Sequence, residues 1–174
     1  EINFTSYGKN VLSNTNQLKS NVINDIIYNS KDFISSNGIK SSFVINTKNL
    51  NSLGKNNKEY KSSPQIELMN EIKLDVSYPL LKQTKNNINH LTPKAMMKIN
   101  PSDMKNYSSM DITTNVSNIF NNNRLGVVDT LEAGRSLTLG LNYKKETLQD
   151  LNKFFEFKVA TVLRDKEENF IPNK

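Results

Sequence analysis

Two carboxylates and one arginine lie close enough along the chain to suggest chemistry. Asp129 and Glu132 are three positions apart, and Arg124 precedes them in the same Asn-rich stretch. A paired-carboxylate acid/base site needs both groups to converge on one bond. Residues three apart on a strand point to opposite faces. We therefore interpret the pair as structural, with Glu132 beside Ser136 on the polar side of a strand and Asp129 able to pair with Arg124.

The single histidine, His90, offers no second route to catalysis. A metal site needs several His, Cys or carboxylate ligands that converge, and none of the usual spacings occurs. A Ser-His-Asp site would depend on His90, and the chain has no Gly-x-Ser-x-Gly turn and no Gly-rich phosphate loop. We therefore predict a protein that is not an enzyme and has no cofactor, and we interpret His90 as a solvated residue between a turn and a strand.

The stretch 118–143 joins this acidic pair to the clearest strand pattern in its neighbourhood. After an irregular Asn-rich half, Leu137, Leu139, Leu141 and Tyr143 alternate with Ser136, Thr138, Gly140 and Asn142. A period of two predicts a strand with one apolar side and one polar side. A soluble sandwich buries such an apolar side against a second sheet, whereas a membrane barrel turns it towards lipid, and the alternation is typical of both.

The same period recurs along the chain. It predicts strands over residues 1–9, 17–34, 39–50, 65–82, 90–100, 128–145 and 153–165. Pro79 costs one ladder hydrogen bond, so we place it near the end of a strand. The fold predicted is all-β, an antiparallel up-and-down meander of about eight strands. One face of it should carry Ile72, Leu74, Val76, Leu137, Leu139, Leu141, Phe155, Phe157 and Val159.

The predicted connections alternate in length. The longer ones are residues 9–16, 51–64 and 101–127, and the shorter ones are residues 35–38, 83–89 and 146–152. Because up-and-down strands place alternate connections at the same end, one end has loops and the other has turns. Outer-membrane barrels have this asymmetry, and a meander in a soluble barrel can show it too.

Composition narrows the possible partners. The net charge is 23 − 17 = +6, which suits nucleic acid, anionic lipid or phosphorylated sugars. Abundant Lys, Asn and Ile also indicate an AT-rich genome. The aromatic residues lie with the aliphatic ones and opposite the lysines, so no stacking platform for nucleic acid is predicted. The hydrophobic fraction of 36% is low for a compact globule, and a barrel with a wet lumen tolerates it.

Seven residues at fixed offsets resemble a known family. They are Asn118, Phe120, Asn123, Arg124, Asp129, Glu132 and Gly134. The arrangement resembles the distal barrel region of the lipopolysaccharide-assembly outer-membrane protein, the LptD (OstA) family, in which a long loop ends in Asn-x-Phe-x-x-Asn-Arg before the next strand. The chain departs from that pattern at Thr130, where the family commonly has Arg, and at Arg135, one place earlier than the family's Arg.

Two further stretches resemble the same family. Residues 91–95 match its acidic-Pro start of a strand through Pro93, with Thr92 in the acid's place, and residues 162–172 match a polar stretch after a later strand. The given sequence begins at Glu1 with no charged-then-apolar stretch that would predict a signal peptide, and it contains no cysteine. We interpret residues 1–174 as an incomplete segment of the family's barrel domain.

The resemblance implies a function. LptD-like proteins are large closed barrels of the Gram-negative outer membrane that pass lipopolysaccharide from a periplasmic bridge into the outer leaflet, with a plug lipoprotein (LptE in many species) inside. It thus implies a partial transmembrane β-barrel, translocation without catalysis, and as partners lipopolysaccharide, the plug lipoprotein, the periplasmic bridge proteins and outer-membrane lipid. Two other classes stay open: another outer-membrane barrel, such as a porin or receptor, and a soluble β-rich surface or adhesion protein.

The long loop carries the most specific prediction. We expect residues 101–135 to lie at the extracellular end and to fold back over the lumen. Val116, Ile119 and Phe120 are spaced for one helical turn that needs a surface to pack on. In the resembling family such a loop meets the plug, so Phe120 and Arg124 are predicted to make or support that contact. A disordered Asn-rich loop is the alternative.

Overall fold

The structure is a computed structural model that describes residues 1–172, apart from the side chains of residues 151 and 152. It is one sheet of nine antiparallel strands in the order β1-β2-β4-β5-β7-β8-β9, with β3 paired to β4 and β6 paired to β7. The strands are β1 Ile2–Ser13, β2 Gln17–Asn29, β3 Phe33–Ile34, β4 Lys40–Lys55, β5 Gln65–Ser77, β6 Leu80–Gln83, β7 Asn87–Asn100, β8 Gly134–Thr147 and β9 Asp150–Arg164. The predicted all-β meander is confirmed.

Within the described residues the sheet does not close on itself. β1 and β9 lie at its two ends, and each pairs with one neighbour only. An unpaired strand edge leaves N–H and C=O groups available for a further strand. The sheet is therefore consistent with part of a barrel wall. No helix in residues 1–172 is long and apolar enough to cross a membrane.

The first connection differs from the predicted loop 9–16. β1 continues to Ser13, and a turn of residues 14–16 leads directly into β2. Asn14 and Thr15 adopt positive φ values of 50° and 60° there, a conformation that Asn tolerates better than most residues. At this end of the sheet the connections are residues 14–16, 56–64 and 101–133, so only two of the three are long.

Two prolines mark an interruption in the sheet. The predicted strand 65–82 is two strands, because β5 ends at Ser77 and Pro79 separates it from β6, so Pro79 lies beside a strand end as predicted. Pro93 lies inside β7 and not at the start of a strand as predicted. Its carbonyl accepts a hydrogen bond from the Tyr78 N–H at 3.0 Å. In an antiparallel strand its nitrogen faces the same side, so the missing N–H points at this break.

The boundary between the long loop and β8 was also mispredicted. β8 begins at Gly134 and not at residue 128, and residues 128–133 belong to the loop. Asp129 and Glu132 therefore do not lie on a strand. The opposite-face argument for these two carboxylates does not apply to them.

The two faces of the sheet are opposite in character to those of a water-soluble domain. On the face we call the apolar face, Ile72 is 53% exposed and Phe157 is 50% exposed. On the other, the polar face, Glu71, Lys73 and Lys98 are buried. Charged residues are almost never fully buried unless they are paired. Here Lys98 lies 3.1 Å from Glu71, and Lys73 lies 2.6 Å from Asp75.

The strand register confirms the predicted sharing of one face. Leu74 lies opposite Met97, Met97 opposite Leu137, and Leu137 opposite Leu163. Directly paired residues of neighbouring strands project from the same face. The nine apolar residues predicted to lie together therefore do so across β5, β8 and β9.

Candidate functional site: a loop docked on the polar face

The loop of residues 101–133, which we call the docked loop, lies against the polar face. Leu131 packs there into a small apolar cluster with Ile23 of β2, Leu50 of β4 and Met69 of β5. These three side chains are fully or almost fully buried, because the loop covers them. The loop thus crosses three strands to which its own ends do not belong. It is ordered and folds back over the sheet, in contrast to the disordered alternative; its placement over a lumen at the extracellular end stays a prediction.

The docked loop also has a core of its own. Met104, Leu125, Val127 and Ala133 pack together, with Tyr107, Ile112 and Ile171 against them. Ile171 belongs to the segment after β9, so that segment completes the core. Burial of one such side chain contributes roughly 1.5–3 kcal/mol. The loop is therefore an ordered unit held between the sheet and the C-terminal segment.

Arg124 is the charged anchor of the docked loop. Its side chain is 1% exposed. Its Nε donates to Glu132 Oε2 at 2.7 Å, and its Nη2 donates to Glu132 Oε1. Its Nη1 donates to Thr138 Oγ1 at 2.9 Å and Nη2 to Ser136 Oγ at 3.0 Å. The bidentate Arg124–Glu132 pair holds the two loop side chains in one geometry, and the bonds to Ser136 and Thr138 fix the loop to β8.

Glu132 also contacts two cationic side chains of the sheet. Arg164 Nη2 of β9 donates to its Oε1, and Lys98 Nζ of β7 lies 3.8 Å from its Oε2. Burial alone would raise the pKa of this carboxyl group. The hydrogen bond from Arg124 and the charges of Lys98, Arg124 and Arg164 outweigh burial, and the pKa of Glu132 is lowered. Glu132 is therefore a buried, ionised carboxylate that joins β7, β8 and β9 to the loop.

Asp129 does not pair with Arg124, so that prediction is wrong. Its Oδ2 accepts a hydrogen bond from Tyr60 OH at 3.0 Å, and its Oδ1 accepts one from Tyr107 OH. Tyr60 OH in turn accepts from Asn21 Nδ2 at 2.8 Å. The pKa of Tyr107 is raised, mainly by burial and then by its hydrogen bond to Asp129. Burial also raises the pKa of Tyr60, and Asp129 adds to this effect, although the hydrogen bond from Asn21 acts in the opposite direction. The loop of residues 56–64, which contains Tyr60, is thereby joined to the docked loop.

The ring of Phe120 packs against β8 at Gly140, which has no side chain to obstruct it. A methyl group added at Gly140 would come within 2.7 Å of Phe120 Cζ. Real Cβ contacts essentially never approach so closely, so any larger residue at this position would require the ring to move from its place against β8. Lys94 Nζ lies 5.9 Å from the centroid of the same ring, within the range of a cation–π interaction. The sequence placed Gly140 on the polar face but gave no sign of this contact.

The two asparagines of the motif shape the loop backbone. Asn118 Nδ2 donates to Thr113 O at 3.1 Å, and its Oδ1 accepts from Asn115 N at 2.8 Å. Asn123 Nδ2 donates to Val127 O at 2.5 Å. Ile119 N donates to Asn115 O at 2.9 Å, which closes one helical turn where the sequence predicted one. Such side-chain bonds to nearby backbone are the reason Asn favours turns.

Gly134, the last residue of the motif, has a backbone conformation that favours glycine. Its φ is +84°, a value that favours glycine, and an added Cβ would collide with the carboxylate of Glu168. The motif residues 118–134 therefore form one docked unit with β8. Pro93 does not belong to that unit and lies at the interruption between β5 and β6.

His90 lies apart from this unit. Its Nε2 is 3.1 Å from Glu146 Oε2, and Lys144 Nζ is 2.6 Å from Glu146 Oε1. This group lies near the end of β7 that is opposite the docked loop. Among residues 1–172, no group of three or more His, Cys, Asp or Glu side chains is placed to hold a metal ion.

An open meander with an exposed apolar face, and a polar face covered by a docked loop, is the architecture expected of a segment of a β-barrel wall. The family model described as LptD, LPS transport system D, matches residues 45–169. That match covers more than half of the 174 residues, and the chain belongs to the LptD family. The family serves lipopolysaccharide transport and assembly of the outer membrane. No match was found among curated proteins or among solved structures.

Proposed function

We propose that this chain forms part of the wall of an outer-membrane translocon that inserts lipopolysaccharide into the outer leaflet. Its apolar face contacts membrane lipid, its polar face lines the lumen, and the docked loop lies at the extracellular end. The chain performs no catalysis in this role. The observation that carries the proposal is the placement of charges inside and large apolar side chains outside on the same strands.

The energetics support lipid as the medium outside. Ile72, Leu137 and Phe157 belong to an apolar surface that runs across β5, β7, β8 and β9. Monomeric soluble proteins rarely expose a continuous apolar patch larger than a few hundred Å². Lipid contact removes that cost, whereas the buried pairs Lys48–Asp25 and Lys98–Glu71 suit a polar lumen.

The docked loop supplies the link to the partners. It covers the polar face from β2 to β9, so it narrows the lumen at one end. Phe120 and Arg124 hold it there. We propose that the loop supports the plug lipoprotein inside the barrel and that the periplasmic bridge proteins deliver lipopolysaccharide from the opposite end, where residues 148–149 form a short turn.

The test disrupts the contact between Phe120 of the loop and Gly140 of β8 by changing each residue in turn. In the full-length protein, Gly140→Leu removes the space for the Phe120 ring, and Phe120→Ala removes the ring. We expect both variants to reduce co-purification of the plug lipoprotein and the amount of lipopolysaccharide in the outer leaflet, with normal barrel levels. Asn142→Leu is the matched control, because it enlarges a side chain on the same face of β8.

Wild-type values for both readouts in Gly140→Leu and Phe120→Ala would remove the functional role of the loop. A loss in the Asn142→Leu control of the same size would show that any large residue on this face disturbs the barrel. The proposal requires the two loop variants to differ from the control.

A further inference from the structure

The Glu132 carboxylate is bound by three cations from three different elements. Arg124 belongs to the docked loop, Lys98 to β7 and Arg164 to β9. Two of the three cations are therefore part of the wall, while the carboxylate belongs to the loop. When the loop leaves the polar face, Lys98 and Arg164 stay behind without Glu132.

With the loop lifted, Lys98 keeps an acidic partner on the strands, whereas the ion pairs of the described residues give Arg164 none there. Lys98 keeps Glu71 at 3.1 Å but also lies directly opposite Lys73 in the strand register. Glu132 is the acidic partner that Arg164 has in the described part of the chain. Arg164 Nη1 is buried and makes no hydrogen bond even while the loop is docked. With the loop lifted, these two cations face the lumen with less neutralising charge beside them, which favours the binding of another anion.

From this geometry we propose that Lys98 and Arg164 form a phosphate-binding site on the polar face, which Glu132 occupies as an internal stand-in while the loop is docked. The inference rests on the proposed function, because it requires the polar face to line the lumen. A phosphate monoester, free or carried on a sugar or lipid head group, takes the place of the carboxylate once the loop lifts. The loop and the ligand then compete for the same two cations.

Phosphate fits the uncovered cations better than a carboxylate does. Glu132 engages Arg164 through Nη2 and leaves Nη1 without a hydrogen bond. Phosphate has a third acceptor oxygen and can accept from both Arg164 nitrogens and from Lys98 Nζ. Arg donors arranged as a fork are well suited to phosphate. The observation that favours phosphate is that Arg164 Nη1 has no hydrogen-bond acceptor while Glu132 is bound.

The test removes the Glu132 carboxylate and adds phosphate, the proposed ligand. We expect the thermal unfolding midpoint of full-length Glu132→Gln to rise with inorganic phosphate at constant ionic strength, with an apparent affinity at least tenfold higher than in the wild type. Glucosamine 1-phosphate should act in the same way and unphosphorylated glucosamine should not, which separates the phosphate group from the sugar. Glu132→Gln/Arg164→Gln should lose the response.

A second measurement keeps the inference testable if Glu132→Gln fails to assemble. In the wild type, phosphate should accelerate proteolytic cleavage of the docked loop, and chloride at the same ionic strength should not. Equal responses to phosphate and chloride, or an unchanged response after Arg164→Gln, would overturn the site. If neither Glu132→Gln nor the wild type responds to phosphate while Gly140→Leu and Phe120→Ala are defective in transport, this site alone is rejected and the proposed function stands.

Discussion

Leu139→Arg in the full-length protein should strongly reduce the amount of folded barrel in the outer membrane. Leu139 projects from the apolar face near the middle of β8, between Ala95 and Thr161. An arginine on the lipid side near the bilayer midplane costs about 2–4 kcal/mol. The measurement is the fraction of protein that migrates as a compact barrel before heating, compared with the unfolded form after heating.

The control places the same side chain on the other face of the same strand. Asn142 lies three residues after Leu139 on β8, and its side chain projects from the polar face beside Thr92 and Lys158. The control variant is Asn142→Arg. Lys158 is already paired with Glu156 at 3.0 Å, so the added charge meets a modest repulsion. We expect Asn142→Arg to assemble nearly as well as the wild type. Equal assembly of the two variants would show that the assignment of lipid to the apolar face is wrong.

Arg124→Met should release the docked loop from the polar face. The substitution removes the hydrogen bonds to Ser136, Thr138 and Glu132 and leaves Glu132 buried with fewer partners. Removing one partner of a buried ion pair costs roughly 3–5 kcal/mol. The measurement is the rate at which a broad-specificity protease cleaves residues 101–133 in the full-length protein, which should rise by at least tenfold.

Arg135→Met is the matched control, because Arg135 is exposed on the apolar face and touches none of these groups. Its cleavage rate should equal that of the wild type. Arg124→Met/Glu132→Met should be cleaved at least as fast as Arg124→Met alone, because it also removes the loop carboxylate that Lys98 and Arg164 contact. An unchanged rate in Arg124→Met would mean that apolar contacts such as Leu131 suffice to hold the loop.

The strand pattern could be predicted because it is a local property. Alternation over residues 136–143 and 72–78 depends only on the geometry of a single strand. The ends of strands were harder. The predicted strand extended back over residues 128–133, yet Gly134 with φ +84° separates them from β8. A two-residue period cannot show where a chain leaves the sheet.

The contacts of the site could be predicted only in part. Glu132 was predicted to lie on the polar side of a strand beside Ser136, but it lies in the loop and is linked to Ser136 and Thr138 of β8 through Arg124. The partners of Asp129 did not follow, because Tyr60 lies 69 positions away and in a different loop. The role of Gly140 as a seat for Phe120 depends on the approach of a distant ring, which no local pattern reports.

The most direct test of the central claim is the accessibility of single cysteines along β8 in the assembled full-length barrel. Residues 136–143 are replaced one at a time, and each variant is treated with a membrane-impermeant, water-soluble thiol reagent after lipid reconstitution. We predict that cysteines at Leu137, Leu139 and Leu141 are shielded by lipid and react slowly. The cysteine at Asn142 should react faster, and those at Ser136 and Thr138, which the docked loop buries, should react faster once Phe120→Ala lifts the loop. Uniform reactivity along the strand, or faster reaction at the leucine positions, would contradict a wall that faces lipid on one side and the lumen on the other.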